Sequence, residues 1–158
     1  MAGTPATVAL TTAHIAFSIH EYVHDPRSGS YGLEAAAALG LPADQVFKTL
    51  ITNVDAAPTV AIVPVNCTLD VKLLAAALGG RKAELADPAV AQRLTGYVVG
   101  GISPIGQRKL LPTVLDESAL LWDMVYVSGG RRGMDIGLAP ADLVDITHAI
   151  TTAISRAS

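Results

Sequence analysis

Aromatic side chains make up only 4% of the 158 residues, charged ones only 16%, and there is one cysteine. Each scarcity excludes something. A lone Cys67 excludes an internal disulfide and a cysteine-based zinc site. The apolar share of 51% comes largely from alanine, which favours helix surfaces and close packing over a bulky aromatic platform. With so little charge and a mean hydropathy of +0.44, disorder is ruled out for most of the chain. Long hydrophobic runs are missing too. The best, Val60 to Val65, is six residues long and contains Pro64, whereas a spanning helix needs roughly 20 apolar residues. No Lys or Arg precedes Arg27, so the basic start of a signal peptide is absent. The expectation is a soluble, cytoplasmic protein that makes no membrane contact, with residues 1–158 forming a single domain.

The net charge is −3, with a pI of about 5.7, which excludes a histone-like polycation. The distribution is less uniform. From Arg81 to Arg132 there are seven basic residues against five acidic ones. Such a local excess suits either a solvated face or contact with a phosphate backbone.

Short helices interleave irregularly with short strands. Thr4-Pro5 starts a helix that runs to about Ala13, since Thr caps and Pro suits the first helical position. Phe17 to Tyr22 reads as a strand, and His24 to Ser30 as a loop. An Ala-rich helix spans Leu33 to Leu39 and stops at Gly40. Val46 to Asn53 and Thr59 to Val65 are β-branched and form a hairpin around a loop of about five residues. Helices follow at Asp70 to Leu78 and from Asp87-Pro88 to about Leu94, with a strand at Arg81 to Leu85 between them. Tyr97 to Val99, Val114-Leu115, Met124 to Val127 and Met134 to Leu138 are further strands. Pro140 opens a closing helix whose apolar residues Leu143, Ile146, Ile150 and Ile154 recur at helical spacing. Adjacent strands joined by short turns favour an α+β fold with a mixed, largely antiparallel sheet.

Several segments invite chemistry. Lys48 shares a strand face with Val46, Leu50 and Thr52; it either snorkels at the sheet edge or aims a cation into a pocket. Thr95 to Gly106 carries four glycines in twelve positions after strand-like Val98-Val99. It is either an ordinary turn or a loop whose backbone N–H groups approach a ligand and stabilise an oxyanion. It matches no dinucleotide- or phosphate-binding glycine motif. The glycine-rich turn from Val127 to Asp135 is a hairpin loop with exposed arginines or a pocket rim, with Ser128 and Asp135 as polar contacts and Arg131 and Arg132 reaching phosphate. His20 and His24 lie about 13 Å apart if extended, too far to share a metal, and no third ligand suggests itself. Cys67 reads as a small, half-buried side chain. No recognisable nucleophile–base pair exists, and any enzyme hypothesis must accommodate that.

Taken together, His24-Asp-Pro, Tyr31-Gly32, Val46-Phe-Lys-Thr-Leu50, Leu69-Asp-Val-Lys72, Thr95 to Gln107, Leu111-Pro-Thr113 and Val127 to Ile136 resemble the YbaK/EbsC family. These are free-standing aminoacyl-tRNA deacylases similar to the editing insertion of bacterial prolyl-tRNA synthetases, and the resemblance covers nearly the whole chain. It implies a partly barrel-like sheet with peripheral helices. It also implies a catalytic set of Lys48 with the Gly100 and Gly101 backbone, and substrate contacts from Tyr22, Tyr31, Thr49, Ser103, Ser128, Gly129 and Asp135. Arg131 and Arg132 would touch tRNA phosphate. The implied substrate is Cys-tRNA(Pro), with Cys-tRNA(Cys) beside it; the implied partner is prolyl-tRNA synthetase, and no cofactor or metal is called for. The missing nucleophile is then supplied by the substrate, whose cysteinyl thiol attacks its own ester. Two rival expectations are an Ala-tRNA(Pro) deacylase using bound water and a non-catalytic tRNA- or synthetase-binding module. One departure is Tyr31-Gly32, where the family has Phe-Gly.

Overall fold

The central element is a tight hairpin, and its geometry follows from two prolines. Strands β2 (Phe47–Val54) and β3 (Ala57–Pro64) pair antiparallel in the computed structural model, which describes residues 3–158. Val65 N–H bonds the Val46 carbonyl, so Lys48, Leu50 and Thr52 fall on hydrogen-bonded positions of the ladder and Phe47, Thr49 and Asn53 between them. Pro64 and Pro58 lie opposite Phe47 and Asn53, where no N–H is required. The connection is two residues, Asp55 and Ala56, both at positive φ, and so tighter than the loop of about five expected. Asp55 makes this tight turn tenable, because its carboxylate accepts from the N–H groups of Arg81 and Lys82.

Beside this hairpin stand β5 (Ala83–Leu85) on one edge and β6 (Thr113–Asp116) then β9 (Ile150–Thr152) on the other, in the order β5-β2-β3-β6-β9. A second sheet has the order β1-β8-β7, from Ser18–Glu21, Met134–Leu138 and Val125–Arg131. A two-stranded ribbon pairs β4 (Cys67–Leu69) with β10 (Ser155–Ala157). Among the described residues the only parallel strand ladders are β3–β6 and β6–β9. The fold is thus α+β, mixed and largely antiparallel. A single bridge between Val46 and Tyr126 joins the two larger sheets, which do not close into a barrel.

The helices are peripheral and begin where caps allow. α1 (Pro5–Thr12) starts with a Thr4–Thr7 capping box, and α3 (Val71–Ala77) and α4 (Pro88–Thr95) are capped by Asp70 and Asp87. α2 (Tyr31–Leu39) starts two residues earlier than expected, because Ser30 accepts from Leu33 N–H and takes Tyr31 and Gly32 into the first turn. α5 (Pro140–Thr147) is shorter than expected. His148 turns left-handed, and Ile150 and Ile154, which extend the helical spacing in sequence, lie in β9 and just before β10. Tyr97 and Val98 are irregular chain running into a turn at Val99, not a strand; the Val99 N–H is taken by the Gln92 side chain. Among the described residues no helix is long and apolar enough to cross a membrane.

The main core lies between the sheets and α1, with Phe47, Ile62, Leu115, Ile136 and Leu143 buried together. A second core fills the other face of the hairpin against α3. Burying these side chains contributes about 1.5–3 kcal/mol each.

Candidate active site

On the three-stranded sheet, side-chain parity separates core from cavity. Met134, Ile136 and Leu138 of β8 face the core. Asp135 faces the other way, and its register partners His20 on β1 and Ser128 on β7 share that face. This polar row meets the open edge of β2. β5 covers β2 only from Thr52 to Val54, and the Ile51 carbonyl takes the Ala86 N–H, so the edge is free only between the Val46–Tyr126 bridge and Ile51. The ladder turns the main-chain N–H and C=O of Thr49 toward that free edge. Between edge and polar row lies a cavity of about 380 Å³, roofed by α2, the start of α4 and the glycine loop.

Tyr22, Tyr31, Lys48, Thr49, Gly100, Ser128 and Asp135 all line this cavity. Lys48 supplies the cation. Burial pulls its ammonium below the ordinary lysine value, an effect partly offset by the Cys67 sulfur nearby. The Thr49 hydroxyl is buried and has no hydrogen-bond partner among the described residues. Burial pushes the Asp135 carboxyl up to about 7. Tyr22 is pushed up to about 12, first by burial and then by the Asp135 and Glu34 carboxylates.

Tyr31 is fixed from several sides. A Cβ at Gly100, where φ is +88°, would lie 2.6 Å from its ring, so only glycine allows the loop this close. His24 stacks on the ring at 5.5 Å, and the Arg132 guanidinium lies 5.2 Å from its centre. His24 is held by Glu34 at 2.7 Å. The Glu34 carboxyl is held below its usual range first by the Asp25 N–H and then by the His24 ring.

The remaining expected residues stand elsewhere. Ser103 is fully buried, and its hydroxyl accepts from the Ile105 N–H. Gly101 packs on the Arg131–Arg132 backbone, and its N–H goes to the Val98 carbonyl, which leaves Gly100 as the glycine of the pair on the cavity wall. Gly129 faces the core, against Met134 and Ile136. Arg131 pairs with Glu21 at 2.6 Å, and Arg132 donates to the Val99 carbonyl, both outside the cavity. Cys67 is half-buried on a separate, smaller cavity of about 240 Å³ whose walls carry no histidine.

Sequence reasoning missed the apolar walls, among them Phe47, Ile51, Leu85, Pro88 and Ile102. Their spacing is that of ordinary core residues, so nothing in the chain marks them. It also missed His20 as the cross-strand neighbour of Asp135, which only the register reveals. Among the described residues no cluster of His, Cys, Asp and Glu could hold a metal ion.

This architecture is shared. Residues 30–146 match the family model of the aminoacyl-tRNA editing domain. Over 114 residues, 72% of this chain and 70% of the relative, the chain is 42% identical to the Enterococcus faecalis protein named "Putative Cys-tRNA(Pro)/Cys-tRNA(Cys) deacylase EbsC". It is 37% identical over 108 residues, 68% of its length, to the proline–tRNA ligase of Nitratidesulfovibrio vulgaris strain Hildenborough, of which those residues span 19%. A crystal structure described as "a putative trans-editing enzyme for prolyl tRNA synthetase" superposes with a TM-score of 0.84 at 26% identity, covering 96% of this chain and 95% of that one. The family match takes in Tyr31, Lys48, the glycine loop and the β7–β8 turn, the segments that build the cavity: the chain belongs to the aminoacyl-tRNA editing domain family.

Proposed function

We propose that this chain is a trans-acting deacylase that removes cysteine from mischarged Cys-tRNA(Pro), and also acts on Cys-tRNA(Cys), by attack of the cysteinyl thiol on its own ester. The observation that carries this reading is that, among the described residues, no serine or threonine hydroxyl on the cavity wall is hydrogen-bonded to a base. The Ser30 hydroxyl caps α2, Ser128 accepts from the Gly130 N–H, and no histidine lines the cavity. A thiol with a pKa of about 8.5 is a few per cent thiolate at neutral pH, and its attack is intramolecular. Holding the reactive conformer can remove about 7–11 kcal/mol from such a barrier.

The chain's own residues then have three tasks. Apolar walls and the rigid Tyr31 ring curl the aminoacyl group and the terminal adenosine. Lys48 and the Gly100 backbone face the developing oxyanion, where a positioned donor is worth roughly 3–4 kcal/mol. Tyr22, Thr49, Ser128 and Asp135 offer the polar contacts that fix orientation. Alanyl and prolyl groups lack the thiol, so selectivity comes from chemistry, where a pocket alone would separate small side chains by only about 1–3 kcal/mol. Residues 1–158 act as one deacylase domain, and prolyl-tRNA synthetase delivers the substrate.

The test is to mix the protein with Cys-tRNA(Pro) and Ala-tRNA(Pro) and follow ester loss. Rapid loss of the cysteinyl ester with the alanyl ester intact is expected. Loss of alanyl ester with cysteinyl ester intact would replace this reading with hydrolysis by bound water.

A further inference from the structure

The thiol reading leaves one proton without a destination. Sulfur attacks well only after losing its hydrogen, and the ribose oxygen leaves well only after gaining one. Among the described residues Asp135 is the one carboxylate on the cavity wall, and Lys48 the one full cation. Among the described residues Asp135 has no side-chain hydrogen bond and no ion pair, although it is only 5% exposed. Burial of a carboxylate without an ion-pair partner disfavours its charged form, so its presence on the cavity wall needs an explanation beyond packing.

The groups around it offer none that competes for its charge. From β1 it is faced by His20, which shares a hydrogen bond with Ser18 and packs edge-on against Tyr126, and by Tyr22, held as a neutral phenol. From β7 it is faced by Ser128. Across the cavity stand Lys48 and Tyr31, while Glu34 is engaged with His24 and Asp25. Arg131 and Arg132 point to Glu21 and Val99.

We infer that Asp135 is the general base and then the general acid of the reaction, a role that rests on the thiol reading above. Its carboxylate takes the proton from the cysteinyl S–H. The sulfur electron pair forms the S–C bond to the ester carbonyl, whose π electrons move onto oxygen opposite Lys48 and Gly100. The tetrahedral species collapses, the C–O bond to the terminal ribose breaks, and Asp135 returns its proton to that oxygen. Products are a thiolactone and tRNA with a free hydroxyl, and Asp135 is again a carboxylate. Its elevated acidity range, near 7, lets it both accept and release a proton at neutral pH.

The rival role for Asp135 is an anchor for the substrate's α-ammonium. Single-turnover rates between about pH 5 and pH 9 separate the two when measured on Cys-tRNA(Pro) and on 3-mercaptopropionyl-tRNA(Pro), which has the thiol but no amino group. Wild-type rates should rise to a plateau through an inflection near 7 on both substrates. Asp135→Asn should lose that inflection and about 100-fold or more in rate on both, as removal of a general base does. It should still melt cooperatively, at or above the wild-type temperature near neutral pH, showing a folded protein. A penalty confined to the cysteinyl ester, or an Asp135→Asn profile like that of wild type, overturns the inference while thiolactone is still formed. A wild-type protein that forms no thiolactone from either ester overturns the thiol reading and this inference with it.

Discussion

Lys48 and Asp135 hold the two full charges on the cavity wall, and burial works against both. Lys48→Ala should cut deacylation by about 100-fold or more, measured as single-turnover ester loss. Lys48→Met should lose the same activity yet unfold at higher urea concentration. The sign follows from the depressed native value: below the ordinary lysine range the unfolded chain binds more protons, so wild-type stability rises with pH there and the methionine advantage shrinks. For Asp135 the sign is opposite. Its native value of about 7 exceeds the ordinary 3.8, so the folded state binds the extra proton and wild type loses stability as pH climbs through that window. Asp135→Asn should therefore match wild type near pH 4 and exceed it above pH 7, by up to about 4 kcal/mol, in paired urea melts. At this scale the sequence was unevenly legible. Lys48 stood out because a cation on an apolar strand face is unusual. Ser103, expected at the pocket only through the family resemblance, is instead fully buried with the Ile105 N–H on its hydroxyl oxygen. Asp135 was legible as a polar contact on the rim of its glycine-rich turn, but its direction was not, because the face of β8 it occupies is fixed by pairing to two distant strands.

α1 touches none of the cavity yet props two of its walls. Thr4 donates its hydroxyl to the Gly129 carbonyl, at the irregularity in β7 between Ser128 and Arg131. Gly106, at φ +70°, brings the end of the glycine loop against Pro5; a Cβ there would lie 2.5 Å from the Pro5 carbonyl oxygen. Gly106→Ala combines positive φ with a backbone clash, so it should cost about 2 kcal/mol or more and lower kcat with little change in KM. Thermal melts and deacylation kinetics on the same preparation check both halves. Most elements were legible at this scale, because proline at helix starts, Asp and Thr caps and Gly40 act locally. The end of α5 was not. Ile150 and Ile154 continue the spacing of Leu143 and Ile146, no glycine or proline interrupts, and His148 supplies the left-handed residue. What decides is tertiary: Ile150–Thr152 is captured by the free edge of β6, and Ser155–Ala157 by β4.

Across the whole molecule, the charge does not suggest a tRNA-binding protein of high affinity. The net charge is −3, Arg131 is spent on Glu21, and Arg132 on the Val99 carbonyl and the Tyr31 ring. Under the proposed function, recognition would concentrate on the acceptor end and its cargo, with prolyl-tRNA synthetase handing over the substrate. The relation to proline–tRNA ligases, of which the matched region spans about a fifth, points the same way. The central claim is that the cargo supplies the nucleophile. It is tested most directly by comparing Cys-tRNA(Pro) with S-methylcysteinyl-tRNA(Pro) on the same enzyme and trapping the released product. Cysteinyl ester should be lost with thiolactone released while the methylated ester persists; equal loss of both would contradict the claim.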